Sequence, residues 1–328
     1  MNSITNIKTP YFKVSAIEEA NEVVKTVRTQ DIYAEPNNIR FLPSGCLEAN
    51  NHRLPLADIG FLTLCHYLNI PVQYGLRIPI DLLTTNVNRL LKESNKEILI
   101  RAQLWPGMKL MAITCVTNGK YRAFPYRNLL SSLSSVQKDL EYNVERIIIS
   151  PSLFRAEFTI GKELDVLPND FYKFGSEIIA SENAMFPSVS IRSYVFRLVC
   201  TNGLILPDVY DHFSFKPMQN VQTNDLTCLL GSAIKSTWSS SKNIKEVLNS
   251  VAQKKLSEGH SFWLYQHIRN KVPADTLKNF QPEVLSNKTY YDVLNEVTAQ
   301  SHNTVNIMQQ RYFQLLGGEL LKLLITKN

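Results

Sequence analysis

At Glu97 the spacing of apolar residues changes from about 3.6 to 2. This switch limits the fold more than any other feature, because a segment of period two cannot form one face of a helix. Glu97–Trp105 (EILIRAQLW) places Ile98, Ile100, Ala102 and Leu104 on one side of a strand and Arg101 and Gln103 on the other. Pro106 and Gly107 turn the chain, and KLMAITCVT reads as a second strand. Asn118-Gly119 is the strongest short hairpin signal, so KYRAF (120–124) is expected to return as a third strand. Asn128–Leu140 then carries apolar residues at helical spacing. The expected centre is a β-β-β-α unit, an antiparallel meander followed by a helix.

The flanks follow the helical period. Ser15 with Glu18 reads as a capping box ahead of Ile17, Ala20, Val23, Val24 and Val27. Asp31–Asn51, punctuated by Pro36, Pro43 and Ser44-Gly45, reads as loop. Helices are expected over Ala57–Leu68 and from Asp81 onward. A second β-rich block spans roughly Val144–Cys200. Helical patterns then cover Leu226–Ser236, Ile244–Leu256, Phe262–Arg269 and Tyr290–Leu324, the last interrupted at Gly317-Gly318. The fold class is α+β. The expected division is a helical region over 1–96, a β-rich α+β core over 97–222 and a helical region over 223–328, together one compact domain if the parts pack on each other.

With 328 residues and 44% hydrophobic composition the chain can bury a substantial core. The N-terminus has no apolar leader and no run is long enough to span a membrane, so a soluble cytoplasmic protein is expected. The five cysteines are odd in number and never form C-x-x-C, which points to neither a disulfide framework nor a zinc site. No P-loop or dinucleotide fingerprint is present, so no cofactor is expected.

Candidate chemistry is sparse. Cys200, in SYVFRLVCTNGLIL (193–206), could be a nucleophile with His212 as its base, but the simpler reading is a strand residue before a turn made by Asn202 and Gly203. Glu177 and Glu182 are the best carboxylate pair for acid/base or metal work. Five residues apart, they fall on opposite faces of a strand, and are expected to face solvent or to accept bonds from Arg192 or Arg197. No enzymatic constellation emerges.

Charge distribution says more. Between Arg89 and Arg127 eight basic residues stand against two acids, which equals the whole chain's net charge of +6. Arg101, Lys109, Lys120, Arg122 and Arg127 are interleaved with Trp105, Tyr121, Phe124 and Tyr126 in and beside the meander. Cations neutralise phosphates and aromatic faces stack on unpaired bases, which is what a single-strand groove needs. The expected nucleic-acid-binding set is Arg101, Lys109, Lys120, Tyr121, Arg122, Tyr126 and Arg127. A sheet with aromatics inward and charges in water would show the same alternation. A second basic stretch, Lys254–Lys271, places Phe262, Tyr265 and Arg269 on one helical face, where core packing is the expected role of the aromatics. The leucine-rich end (Leu315, Leu316, Leu320, Leu323, Leu324) suggests self-association into a homo-oligomer.

Three blocks in order, LNIPVQYGLRIPIDLLTTNVNRLL with EILIRA and YRAFPYRNLL, then SEIIASENAMFPSVSIRS followed by YVFRLVCTNGLI, then TYYDVLNEVTAQ with FQLLGGELL, resemble the phage/plasmid-like protein family, domain of unknown function family 932. The resemblance implies a phage or mobile-element setting, in which proteins of replication and recombination are frequent. At fold level only, the β-β-β-α layout is similar to the core of Rad52-type annealing proteins. The leading expectation is a single-stranded DNA- or RNA-binding protein. The alternative is a non-enzymatic interaction, inhibitor or assembly factor whose basic face meets an acidic protein.

Overall fold

In the computed structural model, which describes residues 7–140, 142–167, 170–186, 189–197, 203–205, 212–215, 223–304 and 307–325, the N-terminal part runs β1 (Phe12–Val14), α1 (Ile17–Thr26), β2 (Arg28–Ala34), β3 (Ile39–Phe41), β4 (Cys46–Ala49), β5 (His52–Pro55), α2 (Asp58–Tyr67), α3 (Val72–Arg77) and α4 (Ile80–Glu93). The middle runs β6 (Ile98–Leu104), β7 (Ala112–Asn118), α5 (Tyr126–Leu140), β8 (Asn143–Ile149), β9 (Phe154–Leu167), β10 (Asp170–Ala180), β11 (Val189–Arg197), β12 (Gly203–Ile205) and β13 (His212–Phe215). The C-terminal part is helical: α6 (Thr223–Ala252), α7 (Glu258–Ile268), α8 (Ala274–Leu277), α9 (Pro282–Leu285), α10 (Tyr290–Ala299) and α11 (Ile307–Ile325). The α+β class is therefore as expected, and the sheets are antiparallel.

The large sheet has the order β1-β8-β9-β10-β11-β12, with β13 also paired to β11. One face carries Ile147, Ile149, Phe154, Ala156, Phe158, Ile178 and Ile191 into a core shared with α1, α5 and the first half of α6. The second half of α6 packs with α7, α10 and α11 around Leu248, Leu264, Leu294 and Leu320. A third core lies between the small sheets and helices α2 and α4. The N-terminal region is thus not only helical, since it contributes β1 to the large sheet, β2 to one small sheet and all of β3-β4-β5. Across residue 96/97, β2 pairs with β6 over its whole length.

The meander is the main correction. β6 and β7 pair as expected, but the third strand of their sheet is β2, in the order β2-β6-β7, and residues 121–125 form no strand. The reason lies at the free edge of β7, which α2 already occupies. Ala57 donates its N–H to the Ile113 carbonyl at 2.9 Å and Thr63 Oγ1 accepts from Val116 N at 3.0 Å. Gly60 makes this approach possible, because a Cβ there would fall 1.9 Å from the Ile113 oxygen. With that edge closed, the Asn118-Gly119 turn leads the chain out of the sheet toward α5.

Smaller differences have local causes. α1 has no side-chain cap, and the Ser15 N–H is taken by the carboxylate of Glu19 rather than Glu18. Residues 223–252 form one helix where two were expected. Gly317 and Gly318 lie inside α11, and the break falls instead between α10 and α11. A Cβ at Gly317 would sit 2.8 Å from Leu204 Cδ1 and 3.1 Å from Thr298 Cγ2, so this glycine serves close packing. Of the C-terminal leucines expected to drive self-association, Leu316 and Leu320 are buried in the core around α10. Phe262, expected in a core, is 57% exposed. No described helix is long and apolar enough to cross a membrane. Cys200 and Asn202 lie outside the described residues, while Gly203 opens β12 opposite Phe196.

Candidate functional site

Period two in β2 and β6 builds the site. One face of this small sheet, with Ile32, Ala34, Ile98, Ile100 and Ala102, enters the core beneath α2 and α4. The other carries Thr29, Asp31 and Tyr33 opposite Gln103, Arg101 and Leu99. It forms the floor of a cleft of about 430 Å³, walled by Val24 of α1 and Val27 just after it, by Tyr121, Arg122, Ala123 and Pro125 and by Arg127 in the first turn of α5, and closed below by Glu182. Four of the seven expected nucleic-acid-binding residues, Arg101, Tyr121, Arg122 and Arg127, therefore meet in one place.

Their states differ. Arg101 is fully engaged: Nε and Nη2 each donate to an Asp31 carboxylate oxygen at 2.7 Å, and Nη1 donates to the Glu182 carbonyl at 2.7 Å. Burial opposes its charge, but the Asp31 carboxylate outweighs that and raises its pKa. Arg101 thus clamps β2, β6 and the segment after β10 together. Arg122 and Arg127 are exposed and form no ion pair among the described residues; Arg122 Nη1 donates only to the carbonyls of Gly119 and Tyr121. Tyr121 is half-buried, its hydroxyl donating to the Ser181 carbonyl and accepting from Ala184 N, and burial pushes the phenol up to about 12. Tyr33 is 43% exposed at the rim.

Tyr126 does not face the cleft. Its ring is buried in the core between Trp105 and Phe154, so it is unavailable for stacking on a ligand. Lys109 and Lys120 are exposed and lie outside the cleft lining. The cleft keeps the cations that follow the turn and excludes those at the turns themselves.

Of the two outcomes expected for these carboxylates, full exposure to solvent is corrected, Glu177 being buried and Glu182 half-buried, while Arg192, opposite Glu177 across β10 and β11, does act on that carboxylate. Glu182 caps α5: its Oε1 accepts from Tyr126 N, and its own N–H donates to the Tyr126 hydroxyl at 3.3 Å. Its Oε2 meets Gln103 Nε2 at 3.5 Å. Burial raises the Glu182 pKa, with the Tyr126 N–H and Arg101 only partly offsetting it. Gln103 is fixed beneath it by three donors to Oε1, from Thr114 at 2.8 Å and from Trp105 and Asn183 at 3.1 Å. Glu177 lies elsewhere, on the opposite face of the large sheet from α5 and α6. There Arg155 Nε approaches it at 2.8 Å and Arg311 binds both its oxygens at 2.9 to 3.2 Å.

Sequence reasoning misses Tyr33, Asp31 and Glu182 as parts of this cleft. Tyr33 and Asp31 fall where proline and glycine suggest loop, although Thr29, Asp31 and Tyr33 alternate with Gln30, Ile32 and Ala34 as a strand with one buried face would. Glu182 carries no local signal, because its partners are 56 and 81 positions away. The described residues contain no group of three or more His, Cys, Asp or Glu able to hold a metal ion. The Cys65 and Cys115 thiols are buried, which raises both to about 12. Comparison with family models, with curated proteins and with solved structures finds nothing that matches this chain.

Proposed function

We propose that the chain is a non-enzymatic single-stranded nucleic-acid-binding protein, of phage or plasmid setting, that contacts its strand in the cleft between α1, β2 and the start of α5. The observation that carries this reading is the pairing of Arg122 and Arg127, exposed and in no close ion pair among the described residues although Arg127 acts on the Glu182 carboxylate at longer range, with the Tyr33 and Tyr121 rings lining the same cleft. Cations of this kind bind phosphate and release counterions, while an exposed tyrosine offers a stacking surface to any base. The family resemblance supplies the setting, and with it action in the cytoplasm of a bacterial host on DNA or RNA.

Fluorescence anisotropy of a labelled oligonucleotide over a range of salt tests the reading. Binding should weaken as salt rises, and Arg122→Ala with Arg127→Ala should lower the logarithmic slope by about 0.7 for each phosphate no longer neutralised. Tyr33→Ala should cost about 1–3 kcal/mol of affinity. Absence of salt-dependent binding by the native protein at low ionic strength would remove the nucleic-acid reading. It would leave an acidic protein as the partner of this face.

A further inference from the structure

The cleft is small and chemically uneven, and both properties bear on what enters it. At about 430 Å³ it lies toward the lower end of the ~300–1,000 Å³ typical of small-molecule sites. That is room for one nucleotide, not a run of stacked bases. Its cations stand at the wall, on Arg122 and Arg127, while its floor carries carboxylate. Asp31 is doubly occupied by Arg101. Glu182 is not equally satisfied. Oε1 has the Tyr126 N–H, but the donor nearest Oε2 among the described residues is Gln103 Nε2 at 3.5 Å, the outer limit of a hydrogen bond.

Gln103 cannot turn to serve Oε2 better, because three donors converge on its own oxygen. A half-buried carboxylate oxygen with one weak donor gains from a second, since a charged acceptor forms the stronger hydrogen bonds. Resting on the nucleic-acid reading above, we infer that the cleft takes a single nucleotide whose base presents an exocyclic amino group to Glu182 Oε2, its phosphate lying at Arg122 and Arg127 and its ring against Tyr33. Cytosine N4 and adenine N6 fit this acceptor. Uracil and hypoxanthine place a carbonyl oxygen at the same position, and two acceptors repel. Carboxylate acceptance from an amino group is the general chemistry by which acidic side chains read cytosine.

The test uses the native full chain and homopolymers of equal length matched in ring size, oligo(dC) against oligo(dU) and oligo(dA) against oligo(dI), with nucleoside monophosphates as competitors. The amino-bearing member of each pair should bind at least about fivefold more tightly. Cytidine monophosphate should displace the labelled strand where its N4,N4-dimethyl derivative, which has no N–H to donate, does so at least about fivefold less well. Glu182→Gln, checked for folding by circular dichroism, should abolish or invert the preference by replacing an acceptor with a donor. If that variant fails to fold, the dimethyl competition in the native protein decides. Salt-dependent binding that is equal for dC and dU would overturn this inference and leave the nucleic-acid reading standing. No salt-dependent binding to any of the four strands would overturn both.

Discussion

Arginines meet carboxylates in two regions of this molecule, and the two are built to opposite ends. Beneath α11 on the large sheet, Glu157 and Glu177 are enclosed by Arg146, Arg155 and Arg311: Arg146 binds Glu157 at 2.6 Å, Arg155 joins Glu157 at 2.7 Å to Glu177 at 2.8 Å, and Gln314 accepts from Arg155. Arg155, Glu157 and Glu177 are almost wholly buried. In the cleft only Arg101 is used in this way, and Arg122 and Arg127 keep their charge in water. The same side chains serve cohesion where buried carboxylates enclose them and are available to a ligand where no close ion pair holds them. Counting basic residues along the chain cannot separate these outcomes, because Arg146 and Arg155 of the buried cluster lie in Asp139–Glu182, where nine acids stand against four basic residues.

The comparison breaks first on stability. Glu177→Ala would leave Arg155 without one of its two carboxylates and Arg311 without the carboxylate that binds it, and removing one partner of such a buried pair costs about 3–5 kcal/mol. Urea denaturation should show the midpoint fall by that equivalent, while Arg122→Ala stays within about 0.5 kcal/mol of the native protein, as surface substitutions do. Equal effects at the two sites would mean that the cleft arginines are also structural.

A second difference is one of sign. Burial pushes the Glu177 carboxyl up, but Arg155 and Arg311 more than reverse this and hold it below its ordinary value of 4.5. Its contribution is therefore present above 4.5 and is lost as pH falls through the lower folded-state value. Glu182 is held above 4.5. Its contribution is fully present below 4.5 and is lost as pH rises through the higher folded-state value. Each unit of separation between folded and unfolded values is worth about 1.4 kcal/mol. On acidification from pH 7 to below 4.5, the native protein should gain stability relative to Glu182→Gln. Carrying the acidification further, it should lose stability relative to Glu177→Gln. Urea titrations of the three proteins across this range read both differences, and a shared sign would show that the two carboxylates do not differ as described.

Much of the fold can be read from the chain because it is local. The two-residue period of Ile98, Ile100 and Ala102 against Arg101 and Gln103 sets both faces of β6, and the helical period marks α2, α4 and α5 within a few residues. What could not be read depends on partners far away in sequence. β2 is a strand because β6 lies beside it 70 positions later, and KYRAF is not one because α2 reaches the edge of β7 first. The same holds for the site. Tyr121, Arg122 and Arg127 announce themselves by composition, but nothing near Tyr126 says that its ring points into the core, and nothing near Glu182 says that it will cap α5.

The smallest expected effect separates the cleft from the basic segment as a whole. Lys109 and Lys120 belong to the interface expected from sequence, and both are exposed cations like Arg122 and Arg127. Lys120 follows the Asn118-Gly119 turn, where its N–H donates to Asn118 Oδ1 at 2.8 Å, and neither lysine lines the cleft. A strand held in the cleft should depend little on either lysine, since the salt slope counts the phosphates directly neutralised and neither side chain lines the cleft. Lys109→Ala with Lys120→Ala should therefore leave stability within about 0.5 kcal/mol and the salt slope of oligonucleotide binding almost unchanged. Arg122→Ala with Arg127→Ala should lower that slope by about 0.7 if the two arginines share one phosphate, and by about 1.4 if each holds its own. Anisotropy titrations of the two double variants at matched salt concentrations make the comparison. If the lysine pair lowers the slope as much as the arginine pair, the strand runs across the turns of the small sheet, and the cleft is only one stop along a broader basic surface.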